Sequence, residues 1–259
     1  MLDALRYEWT RLWTLRSTYW LIGIGLLCAL AIPLITGIAA GDQTLDTFFT
    51  AVLLNGGAMF GLPFLAVFMG IIGIFSTGHE YRHGTIQPTL TSLPQRSRLI
   101  AAKILVMSGV TVAVTVLSLV LNAAVMLAFW GEIQGLFEDP LLPSLIGYVL
   151  YVLIYMLVGQ GLGLLFRGVP SALVVIFLMP LILETAIAGL AFIPALDWLE
   201  PAVKFLPFNA GSRLMILDLS DAEDLGGDML SRWEGGAVFA LFAAIIMAAA
   251  WTLFKKRDA

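Results

Sequence analysis

Six apolar stretches, near residues 19–40, 57–77, 104–130, 144–166, 170–193 and 235–254, set the strongest limit on what this chain can fold into. Each is close to the ~20 apolar residues a helix needs to cross ~30 Å of hydrocarbon. The composition agrees, with 60% hydrophobic and 12% charged residues, where a soluble domain carries about 25% charged. Between the stretches lie a short N-terminal segment, a loop over 78–103 and another over 194–234, each too small to be an independent soluble domain. The expected fold is an all-α polytopic membrane protein with one membrane domain over 1–259.

Positive charges near span ends are retained on the cytosolic side. With both termini inside, the cytosolic set is Arg6, Arg11, Arg16, Arg82, Arg96, Arg98, Lys103, Arg167, Lys255, Lys256 and Arg257, which is eleven of the 14 Lys and Arg. Only Lys204, Arg213 and Arg232 fall outside, and most of the acids, from Asp42 and Asp46 through Glu138 and Asp139 to Glu234, lie there with them. The net charge of −4 therefore describes the outer face and argues against a nucleic-acid partner. The expected topology is multi-pass with both termini cytosolic.

The first 18 residues read as a helix lying in the membrane interface. Leu2, Leu5, Trp9, Leu12 and Trp13 recur at three- and four-residue steps, while Asp3, Arg6, Glu8, Thr10, Arg11 and Thr14 fill the other face. The apolar run that follows exceeds the ~7 to 15 residues of a signal-peptide core, so it is expected to stay as the first span. Cys28 is the single cysteine, which excludes an intrachain disulfide.

The loop after the second span carries the densest chemistry. His79, Glu80 and His83 spell H-E-x-x-H, a pattern that on a helix puts two imidazoles on one face to bind zinc, with the Glu as general base. A membrane zinc metallopeptidase is therefore one function class. Catalytic zinc usually takes three protein ligands, and these are the only 2 His residues in the chain. Glu184, deep in the fifth stretch, would have to complete the site. Gly78 and Gly84 bracket the motif where a metallopeptidase needs an unbroken helix. No metal site is expected.

The run Glu80-Tyr81-Arg82-His83-Gly84-Thr85-Ile86, followed by Leu90, Pro94, Arg96 to Arg98 and Lys103, resembles the signature of membrane subunits of type-2 ATP-binding-cassette transporters. The order of an interfacial helix, six spans, a short cytosolic loop and a long outer loop is similar to those permeases. The resemblance implies that residues 79–95 form a coupling element docking on a separate ATPase subunit, with Glu80, Tyr81, Arg82, Gly84 and Thr85 setting its geometry and polar contacts. It also implies a second permease subunit, identical or related. None of the lysines, Lys103, Lys204, Lys255 and Lys256, follows a glycine, so the chain carries no phosphate-binding loop. ATP hydrolysis would belong to the partner, and no cofactor is expected.

Glu184 is the only acid inside a span, and an ionisable group there costs at least ~2.5 kcal/mol and marks a functional site by default. It is a candidate for the pathway or for a subunit interface. In the outer loop, Leu196, Leu199, Val203 and Leu206 keep helical steps beside Trp198 and Phe205, which suggests short re-entrant or interfacial helices. Pro63 and Pro180 should kink the second and fifth spans. Gly57 with Gly61, and Gly159 with Gly163, have the spacing of close helix packing. The expected function is an exporter permease for a hydrophobic or amphiphilic substrate. A non-transporting membrane scaffold or immunity protein is a third class.

Overall fold

The computed structural model describes residues 2–41, 44–61, 63–82, 84, 96–191, 193–217 and 230–256. Helix α1 is Leu2–Thr14, α2 Arg16–Ala40, α3 Thr47–Leu54, α4 Phe64–Arg82, α5 Arg96–Trp130 and α6 Leu141–Phe166. Helix α7 begins as Val169–Leu178, widens into a π-helical turn over Met179–Glu184 and ends as Thr185–Ala191. Helix α8 is Pro207–Ser212 and α9 Arg232–Lys256. There is no strand among the described residues, and six helices are long and apolar enough to cross a membrane. The protein is an all-α, multi-pass membrane protein. Its two ends are named here by charge: the basic end carries α1 and Lys103, the acidic end Asp46 and Asp139.

Helices α4 and α6 form the centre, with 56% of each span buried within the chain against 11% for α7. Small residues let them meet. Gly159 lies on the Gly70 carbonyl, Gly73 on the Met156 carbonyl, and Gly163 against Thr77 and Ile74, so a methyl group at any of these positions would meet backbone or a hydroxyl. Helix α9 packs on α6, α2 bridges α4 and α5, and α7 lies against α4 and α6. One side of α5 is polar and buried: Thr111 and Thr115 return their hydroxyls to the carbonyls four residues back, and Asn122 Nδ2 donates to Leu54 O at 2.8 Å, holding α3.

Several expectations change. The second span starts at Phe64 rather than near 57, because Gly56, Gly57 and Gly61 have φ of 59°, 75° and 90° and break the chain into a 3-10 turn over Ala58–Phe60. Gly57 and Gly61 are thus turn residues, and Pro63 precedes the first residue of α4 without kinking it. Helix α3 occupies residues read from sequence as a connection. Asp46 starts it by accepting the Phe49 N–H at 2.7 Å, and Thr50 to Leu54 are all buried. At Pro180, which has no N–H, α7 loosens by one residue into the π turn, and Thr185 Oγ1 donates to Pro180 O at 3.2 Å.

Residues 194–215 also fold as short helices. Phe208, Ala210, Gly211, Leu214 and Met215 are buried against α6 and α9, with Gly211 under the Phe239 ring and Gly147 against the Leu214 backbone. Trp198 and Phe205 stay on the surface at 71% and 53% exposure.

Candidate functional site

Two arrangements bring chemistry together, one at each end of α4. At the basic end, Glu80 Oε1 lies 2.7 Å from Lys103 Nζ and 2.9 Å from the Arg11 guanidinium. Glu8 Oε1 lies 2.7 Å from the same Lys103 nitrogen, and Glu8 Oε2 3.1 Å from Arg11. Ser76 O accepts from Arg11 at 2.8 Å and from Lys103 at 3.2 Å. Glu80, Lys103 and Glu8 are 2%, 3% and 4% exposed. Two acids and two bases balance, and the shared carbonyl takes up further donors, which is the condition for keeping charges out of water. The network joins α1, α4 and α5.

That geometry also shows how α1 is seated. The helix forms, but it docks on the bundle through Ala4, Glu8 and Leu12, while Leu2, Trp9 and Trp13 remain exposed. Glu8 and Arg11, assigned from sequence to the polar face, are its anchors. The available signal is charge: most of the acids are read to the other end, so Glu8 and Glu80 among so many cations stand out.

Of the remaining candidates at this end, Tyr81 lies under Arg167, whose guanidinium carbon is 5.4 Å from the ring centroid. Arg82 is exposed. Gly84 has φ of 66° and returns its N–H to Tyr81 O at 3.3 Å, a left-handed residue closing α4. Thr85, His83 and the rest of the loop through 95 lie outside the described residues.

The zinc arrangement does not assemble from the parts described. His79 stacks on Phe75 with centroids 4.2 Å apart, and Glu80, the supposed base, is held by two cations. Glu184 belongs to the other site. It shares a cavity with Phe64, Val67 and Ile71, and the nine residues of helix from Ile71 to Glu80 add ~13 Å.

At that second site Glu184 is 5% exposed and closes the π turn. Its Oε1 accepts the Phe208 N–H at 2.9 Å and its Oε2 the Asn209 N–H at 2.8 Å. These are orphan donors at the start of α8, so Glu184 caps a helix from another part of the chain. The neighbouring cavity measures about 650 Å³ and is walled by α4, α6, α7 and the α8 segment. Phe177 and Leu181 in its wall are also 37% and 51% exposed on the bundle surface, which puts the cavity one side chain from lipid. The ring cluster of Tyr151, Tyr155, Phe208 and Phe239 supports its floor, with centroids 5.2 to 5.4 Å apart between successive rings.

Residues 35–259 match the family described as Protein of unknown function (DUF2705). No curated protein matches the chain.

Proposed function

We propose that this chain, which belongs to the DUF2705 family, is the permease subunit of an ATP-binding-cassette exporter. It sits in a bacterial cytoplasmic membrane with both termini in the cytosol, and works with a separate ATPase subunit and a second permease subunit. The observation that carries this reading is the direct Glu80–Lys103 ion pair at 2.7 Å. It ties the last turn of α4 to the first turns of α5, bracing both ends of the segment that resembles the coupling element. A loop that passes a nucleotide-driven movement into the membrane needs such a stiff base, because slack there would dissipate the displacement. Arg11 and Arg167 hold the same base from α1 and from the α6–α7 turn.

The braced base also divides the labour among the coupling residues. Glu80 and Tyr81 are engaged within the chain, so they set the loop's angle. Exposed Arg82 is the side chain left facing the partner. The cavity beside α7 supplies the pathway, with Glu184 at its wall. Helix α7, hardly buried within the chain, offers a face to a second permease subunit.

The test is purification of the tagged chain from its native membrane, followed by reconstitution. The expected result is recovery of an ATPase subunit of the cassette type, with hydrolysis that depends on the permease. Purified chain carrying stoichiometric zinc and no such subunit would replace this reading with the metallopeptidase, and neither would leave a scaffold or immunity role.

A further inference from the structure

The cavity beside Glu184 has a composition that selects for charge as well as for size. Among the described residues its wall holds one acid, Glu184, and no Lys, Arg or His. Six aromatic rings, Phe64, Phe68, Tyr151, Tyr155, Phe177 and Phe208, face the same space. Aromatic faces are negative and attract cations within about 6 Å of their centroids. Tyr151, 4% exposed, brings a hydroxyl as well as a ring to this wall.

We propose that this cavity binds a lipophilic monovalent cation, its charge seated between the Glu184 carboxylate and the surrounding rings. A bare metal ion is the wrong occupant, since hard cations take about six oxygen ligands and the two Glu184 oxygens already accept N–H groups from Phe208 and Asn209. A neutral lipid chain would leave the carboxylate compensated only by the two α8 amides. A bulky cation with delocalised or shielded charge satisfies both demands and loses little hydration on leaving water. Its volume suits about 650 Å³, and Phe177 and Leu181 put its entry on the lipid side. This deepens the permease reading, on which it rests for transport but not for binding.

Purified full-length chain in nanodiscs of zwitterionic lipid, without any ATPase, should bind radiolabelled tetraphenylphosphonium saturably, at about one per chain. Tetraphenylborate, which has the same shape and the opposite charge, should not compete. Glu184→Gln retains an acceptor for the α8 cap and should raise Kd about tenfold or more. Phe64→Leu, at the start of α4, should raise it severalfold and decides the matter alone if Glu184→Gln melts earlier. Absence of saturable binding, equal competition by tetraphenylborate, or unchanged affinity in folded Glu184→Gln and Phe64→Leu would each overturn the site. A chain that binds the probe yet never recovers an ATPase overturns the permease reading and leaves the site standing, whereas an ATPase-linked chain that fails to bind removes only the site.

Discussion

Glu80 and Lys103 meet at 2.7 Å although the loop between α4 and α5 separates them in sequence, and neither is more than 3% exposed. Removing one member of a buried pair strands the other. Lys103→Met should therefore destabilise the purified chain by about 3–5 kcal/mol. In a double-mutant cycle, Glu80→Gln combined with Lys103→Met should cost less than the two single changes added together. Strict additivity in denaturant unfolding would mean that the contact carries no coupling energy.

Coupling and stability should separate at neighbouring positions. Arg82→Ala is expected to leave melting unchanged and to lower ATPase stimulation by the partner, since an exposed side chain contributes little to folding. Glu80→Ala should lower both. Equal loss of melting temperature in the two variants would contradict the assignment of Arg82 to the partner face.

Glu184→Ala removes both acceptors from the start of α8. The expected cost is about 1–3 kcal/mol for stranded buried donors, with faster hydrogen exchange at the Phe208 and Asn209 amides. Glu184→Gln should fall between the two. Unchanged exchange in the alanine variant would show that the cap is not holding α8.

The glycine contacts between α4 and α6 give a steric test. Gly159→Ala places a methyl group on the Gly70 carbonyl and should destabilise by about 1–3 kcal/mol, the range for overpacking. Gly109→Ala on α5, where an added methyl meets nothing within 4 Å, is the control and should cause no loss.

Orientation is open to labelling in a Cys28→Ser background. Single cysteines at exposed Asp139 and Glu132 should react with an impermeant reagent from outside intact cells, and one at exposed Arg98 should not. The opposite pattern would invert the topology.

The spans were legible because hydrocarbon demands a minimum apolar length, and that demand is written residue by residue. Their ends were less so. Helix α3 is hidden because its 8 residues are too few to cross hydrocarbon and the Gly56–Gly57 turn follows at once, so the segment reads as a connection. Helix α1 is legible as an amphipathic helix, but periodicity does not say which of its polar side chains, here Glu8 and Arg11, turn toward protein. Glu80 stood out by its motif and Glu184 by its isolation in a span. What each of them touches depends on helices brought together from Arg11, Lys103 and Phe208, and no local spacing encodes those meetings.

Helix α7 is fastened near both of its ends. Near one end Arg167 lies over Tyr81 and Val169 presses on Gly78, beside the stiff base of the loop. Toward the other, Glu184 grips the amides of α8. Between them the helix buries Ala172 and Ile176, leaves most of its other residues exposed, and forms one wall of the cavity. Through Glu184 the wall that α7 forms and the floor to which α8 contributes Phe208 are tied to one another, at the end of the bundle opposite the loop.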